Sequence, residues 1–318
     1  MFANRDASMG LKGKRIGLAL GGGGARGLSH IGVLKVFETE AIPIHVLVGT
    51  SIGALIGAAY AVGYGTLEIE RQFQTFLESD IFLDSALRSI KEVQASRKMS
   101  LSHRFQAFFK NRYLLAQAIF RPGLLQTDDF QSMINYFLPD VGVEDTRIPF
   151  RAVATDLVSG EPVVISRGPI RQAVMASCAV PGAVPPLEHE GMLLSDGGII
   201  HMVPTDIVRQ EGAQFVVAVG VTHGLPSEDE MGTAVDIYVR SANIMSYHME
   251  QKMLKAADVA IKPRSGPLHW TDFDLARELI REGERAAREK LPEIRKALSI
   301  TRRIRMWASD LKRPRNRS

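Results

Sequence analysis

The sequence predicts an α/β fold of three layers, with helices on both faces of a central, mostly parallel sheet. Three observations predict it. Short apolar runs that read as strands alternate with longer helical patterns, an order that builds a parallel sheet. Those runs are apolar throughout, as strands covered on both faces are. Glycine clusters stand where the first two strands hand over to helices, at 21–27 and 49–53.

KRIGLAL (14–20) is a strand running into glycines, and 25–40 is a helix. Residues 44–49 form a second short strand, 51–62 a helix and 66–79 another. Thr127-Asp128-Asp129 starts a helix, with its acids at the positive end of the helix dipole. Residues 150–157 and 162–166 read as strands, 169–177 as a short helix, 214–221 as an apolar strand and 257–262 as a last short strand. Ser227-x-x-Glu230 and Thr271-x-x-Asp274 have capping-box spacing for two long C-terminal helices. Pro292, inside the last pattern, predicts a kink or a restart.

Residues 80–125 differ and read as a helical insert or lid. Between 88 and 112, seven basic residues face a single acid, Glu92. Phe105, Phe108 and Phe109 have the i, i+3, i+4 spacing that puts rings on one helical face. Two readings fit: an interfacial helix on an anionic membrane, or a helix packed on the domain with a solvated basic face.

At 318 residues the chain can bury one large core or two modest ones, and 45% hydrophobic content excludes disorder for its body. The expected organisation is a catalytic domain over 14–262, a C-terminal helix over 263–300 and a basic tail over 301–318. The tail holds seven Arg/Lys against Asp310, so the rest of this +4 chain is near neutral. Such a tail can meet anionic lipid or simply be solvated; no fold motif supports nucleic-acid binding. One cysteine, Cys178, excludes an intramolecular disulfide and fits a reducing compartment. The apolar run at the start dissolves into glycines after five residues, unlike a signal peptide. Residues 46–67 carry no charge, but five glycines and Thr50-Ser51 parse them as strand, turn and helix rather than a membrane span. The expectation is a cytoplasmic chain able to sit peripherally at a membrane through 88–120 and 301–318.

Three glycine-marked sites carry the chemistry. GTSIG (49–53) fits a nucleophile elbow, in which Gly49 and Gly53 allow a sharp strand-to-helix turn that exposes Ser51. GGGGARG (21–27) matches the dinucleotide pattern at Gly22, Gly24 and Gly27, but the next strand ends without the acid a ribose needs. A run of unhindered N–H groups at Gly22, Gly23 and Gly24 suits a tetrahedral oxyanion instead. Arg26 is open to three roles: fixing the loop, meeting a phosphate, or a structural ion pair. Asp196, before Gly197 and Gly198 at a strand end, is placed as a base for the serine. None of the eight histidines has a distinctive setting, though His201 lies five residues from Asp196.

GGGGARG, GTSIG and DGG (196–198), in this order, resemble the signature of patatin-like phospholipases. VATDLVSGEPVVIS (153–166) and ASCAVPGAVPP (176–186) resemble the family's blocks between nucleophile and aspartate. The resemblance spans about 14–262. It implies a patatin-like α/β/α fold, Ser51 as nucleophile, Asp196 as base and Gly22-Gly23-Gly24 as oxyanion hole. It implies hydrolysis of lipid acyl esters without metal or cofactor. Two departures stand out: His201 fills a position that commonly holds Asn, and 80–125 matches none of these family blocks. The alternatives are a histidine-assisted α/β-hydrolase esterase, or a membrane-peripheral binding protein with a vestigial site.

Overall fold

A computed structural model describes residues 14–79, 125–222, 224, 225, 232–266, 268 and 272–311. The expected membrane segment 88–120, the Ser227–Glu230 box and Thr271 lie outside the described residues.

The strands are β1 (Ile16–Leu20), β2 (Val46–Thr50), β3 (Phe150–Asp156), β4 (Pro162–Ile165), β5 (Leu187–His189), β6 (Met192–Asp196), β7 (Phe215–Val219) and β8 (Val259–Ile261). They form one sheet in the order β5-β6-β3-β2-β1-β7-β8, with β4 paired to β3. The pairs β3-β2, β2-β1, β1-β7 and β7-β8 are parallel; β4 and β6 run antiparallel to β3, and β5 antiparallel to β6.

The helices are α1 (Ser29–Thr39), α2 (Ile52–Val62), α3 (Thr66–Glu78), α4 (Thr127–Phe137), α5 (Ile170–Ser177), α6 (Thr205–Gln210), α7 (Ala234–Lys255) and α8 (Ala276–Leu311). The alternation of side chains along each strand sorts them into layers. Leu18, Leu20, Leu47, Val217 and Val219 point into the larger core, with Ile31 and Leu34 of α1, Ile56 of α2, Phe73 of α3 and Ile280 of α8. Ala19, Val48, Val216 and Ala218 point the other way, against Ile207 and Val208 of α6 and Leu254 of α7. The fold is the expected three-layer α/β/α arrangement.

Local chemistry sets several boundaries. Gly63, at φ 111°, stops α2 in the left-handed conformation that glycine accepts freely. The capping box of α7 is Thr233 with Asp236: Thr233 Oγ1 accepts the Asp236 N–H at 3.1 Å, and Asp236 Oδ2 accepts the Thr233 N–H at 3.0 Å. Pro292 neither ends nor restarts α8, which runs through it and on into the expected basic tail.

Helix α8 is not an appendage. Where it crosses α1, a Cβ on Gly283 would lie 1.9 Å from the Ser29 carbonyl oxygen, and one on Gly32 would lie 1.9 Å from that of Ile280. Two glycines thus let the backbones touch, and Leu279, Ile280, Ala286, Ala287, Leu291 and Ile294 of α8 are buried.

One register detail positions the site. On β3, Val153 pairs with Thr50 of β2 and with Val164 of β4, while Ala154 pairs with Asp196 of β6 and with Val163 of β4. β4 therefore holds one edge of β3, and β2 and β6 meet end to end along the other. Thr50 and Asp196 become neighbours one residue apart along β3, and the next residue of the chain after Thr50 is Ser51.

Candidate active site

Ser51 sits between β2 and α2 with φ 55° and ψ −127°, a conformation unusual for a residue with a Cβ and worth about 1–3 kcal/mol of strain. The surroundings hold it there. Its N–H donates to Ser177 Oγ at 2.9 Å, and Ser177 Oγ donates to the Val153 carbonyl at 2.6 Å. The carbonyl of Ser51 accepts from Ala54 N–H at 2.8 Å as α2 begins. A Cβ on Gly49 would lie 2.4 Å from the Gly53 carbonyl oxygen, and one on Gly53 would lie 2.3 Å from that of Leu20. Both glycines of GTSIG are thus demanded by the close approach of the elbow to β1 and α2. Replacing Ser177 by Ala should leave the Ser51 N–H unpaired in the core and cost about 1–3 kcal/mol, read by urea unfolding. Unchanged stability would mean that Ser177 does not hold the elbow.

Asp196 is 6% exposed and Ser51 8%. The Asp196 N–H donates to Ala179 at 2.9 Å, its carbonyl accepts from Thr155 Oγ1 at 3.1 Å, and its Oδ1 accepts the Gly198 N–H at 2.6 Å. Gly197 lets this turn press on β3, since a Cβ there would lie 2.3 Å from the Val153 carbonyl oxygen. Burial raises the Asp196 carboxyl to about 6, against hydrogen bonding by the Ser51 hydroxyl and the Gly198 N–H. A carboxyl tuned toward neutrality beside a strained serine is a proton acceptor suited to neutral pH.

The glycine loop leaves β1 and passes the serine. A Cβ on Gly22 would lie 3.3 Å from Ser51 Cβ. Of the three glycines expected to donate, Gly22 has its N–H committed to the Met202 carbonyl at 2.9 Å, which removes it from the donor set. Gly23 and Gly24 remain. Gly24 opens the short 3₁₀ turn to Leu28, so its N–H has no intrahelical acceptor behind it. Arg26 fixes the loop: its Nε donates to the Gly23 carbonyl at 3.3 Å. Burial lowers its pKa, and the charges of Glu250 and Asp272 oppose that shift. A Cβ on Gly27 would lie 2.2 Å from Ile52 Cγ2, which packs the turn against the start of α2.

His201 is turned to a different partner. Its Nε2 lies 3.1 Å from Asp206 Oδ2 at the start of α6, and its backbone carbonyl accepts from Thr50 Oγ1 at 2.8 Å. The groups acting on Asp196 include no histidine among the described residues. Cys178 is half-buried beside the pair; burial, then the charge of Asp196, push its thiol pKa well up, and a hydrogen bond with Ser51 opposes them. It is therefore a neutral thiol. No group of His, Cys, Asp and Glu among the described residues could hold a metal ion.

Ser177, Met202 and His30 carry no local signal of their place at this site. Ser177 lies within ASCAVPGAVPP (176–186), but nothing local marks its hydroxyl as the anchor of an elbow so far off in sequence.

Residues 18–209 match the family profile described as patatin-like phospholipase, which covers more than half of the chain. The chain belongs to the patatin-like phospholipase family. It is 32% identical over 207 residues to an uncharacterized NTE family protein of Mycobacterium tuberculosis, covering 65% of this chain and 49% of that one. It is also 32% identical over 228 residues to patatin-like phospholipase domain-containing protein 6 of Homo sapiens, covering 71% of this chain and 14% of that one. The chain thus spans about half or less of these relatives. VipD from Legionella pneumophila aligns over 88% of this chain and 67% of its own, with a TM-score of 0.43 and 13% identity. The patatin-like match takes in the glycine loop, Ser51 and Asp196, while β7, β8, α7 and α8 lie beyond it.

Proposed function

We propose that this patatin-like protein is a serine-dependent lipid acyl hydrolase that works through a Ser51–Asp196 dyad. The observation that carries the reading is the junction of β2 and β6 on β3, which sets a strained serine beside a buried carboxyl of raised pKa. Family membership supports an acyl ester of a lipid as the substrate class.

Asp196 takes the proton of Ser51 Oγ as that oxygen attacks the ester carbonyl. The N–H groups of Gly23 and Gly24 hold the oxyanion, each such donor being worth about 10²–10³ in rate. The tetrahedral intermediate collapses, the ester C–O bond breaks, and the leaving alcohol takes the proton from Asp196. The acyl group stays on Ser51. Asp196 then takes a proton from water as the water attacks the acyl carbonyl. Collapse releases the fatty acid and returns the proton to Ser51.

A fluorophosphonate probe with peptide mapping tests this. The adduct should form on Ser51 and vanish in Ser51→Ala. A wild type that does not label would favour the binding protein with a vestigial site. No helix among the described residues is long and apolar enough to cross a membrane. We propose that lipid contact is peripheral, through 88–120 and the basic tail.

A further inference from the structure

We infer that His30, which takes no part in the proposed dyad, clamps the oxyanion loop from beneath and is a positioning residue for the reaction; the inference rests on the reading of Gly23 and Gly24 given above.

His30 is the second residue of α1 and has no solvent exposure. Its Nε2 lies 2.8 Å from the carbonyl oxygen of Gly21. That oxygen can only accept, so Nε2 must carry the ring proton. Burial drives the ring pKa down to about 4, against the Gly21 hydrogen bond, which keeps the imidazole neutral at working pH. Its Nδ1 is then a bare acceptor, buried and without a partner among the described residues. An apolar side chain would fill this space and leave no nitrogen unpaired. Packing alone therefore does not account for a histidine here, whereas the bond to Gly21 does.

That bond acts on the loop through peptide geometry. In a trans peptide the C=O and the next N–H point in opposite directions, and no peptide in the described chain is cis. The Gly21–Gly22 unit is held at both ends, its oxygen by His30 and its N–H by the Met202 carbonyl. The following unit reaches the two donors. Beyond them, Arg26 holds the Gly23 carbonyl, so the Gly24 N–H of that same peptide must point away from Arg26. Gly23 and Gly24 have no side chain with which to anchor themselves. Their aim depends on the held peptide before them and the Arg26 contact after them. Donors preset in this way stabilise charge without reorganising, and a misplacement of about 1 Å can cost about 10²-fold.

The test is hydrolysis of a short-chain p-nitrophenyl ester by wild type, His30→Leu, His30→Gln and Ser51→Ala. His30→Leu should lower kcat by about 10- to 100-fold with KM within about twofold. The midpoint of the acid limb of the pH profile should stay that of wild type, because the base is untouched. His30→Gln, whose amide N–H reaches about as far as Nε2, should recover most of the loss. A folded His30→Leu with wild-type kcat would overturn the inference, and so would a moved midpoint, which would make His30 the base. The ring tautomer, read by nitrogen NMR on wild type, decides independently of variant folding: a proton on Nε2 supports the clamp, and one on Nδ1 overturns it. Wild-type turnover no faster than that of Ser51→Ala would overturn the dyad reading itself, which a failure at His30 alone would not do.

Discussion

Asp196→Asn is expected to lose about 10³-fold or more in kcat/KM and, at neutral pH, to unfold at higher denaturant than wild type. Both effects have one cause. Folded Asp196 titrates near pH 6 because it is buried, whereas an unfolded aspartate titrates near 3.9. Below about pH 4 the group is neutral in both states and burial carries no ionic cost. Between about pH 4 and 6 the unfolded chain releases its proton first, so stability falls as pH rises. Above pH 6 the whole cost stands, about 3 kcal/mol as an order of magnitude. Asparagine keeps an oxygen for the Gly198 N–H and carries no charge, so the variant should gain up to about 3 kcal/mol at pH 8 and nothing at pH 4. In the proposed reaction the same ionisation acts with the opposite sign. Wild-type kcat/KM should fall about tenfold per pH unit below pH 6. Urea unfolding at the two pH values, alongside a rate profile, reads both. A variant no more stable than wild type at pH 8 would mean that the carboxylate is better solvated than its burial implies.

Gly283→Ala should be strongly destabilising for the addition of a single methyl. The new Cβ would meet the Ser29 carbonyl oxygen at 1.9 Å and the Ser29 Cα at 3.0 Å, all backbone that cannot rotate aside. Relief requires α8 to lift from α1 by more than 1 Å, opening the contact that buries Leu279, Ile280 and Ala287. Overpacking of this kind costs about 1–3 kcal/mol, and more where backbone opposes backbone. The expected loss is about 4 kcal/mol. Arg281→Ala, two residues away at an exposed position, is the control. Equal stability of the two would show that α8 can slide off α1 at little cost.

The strands and helices that flank the glycine clusters were legible because their signals are local: apolar runs, a turn, then helical spacing. Ser51 and Asp196, the two residues of the proposed dyad, were legible for the same reason, since each carries its own glycines. The encounters between distant parts of the chain were not. Gly32 and Gly283 are single glycines in ordinary helical contexts, and nothing in either context points to the other. His30 reads as one more helical residue until the loop folds back over α1. The Met202 carbonyl that takes the Gly22 N–H arrives from beyond Asp196, out of reach of any local signal. The capping-box spacing in the sequence stands at Ser227 to Glu230, while the described cap of α7 lies at Thr233 and Asp236, with the same chemistry a few residues on. Helix α6 is too short for periodicity to reveal.

In the proposed reaction Asp196, and no histidine, serves Ser51. Hydrolysis of a short-chain p-nitrophenyl ester by wild type, Ser51→Ala, Asp196→Asn and His201→Ala, each checked for folding, tests it most directly. The first two variants should fall by about 10³-fold or more while His201→Ala stays within about threefold of wild type. Collapse of turnover in His201→Ala, with Asp196→Asn still active, would contradict it.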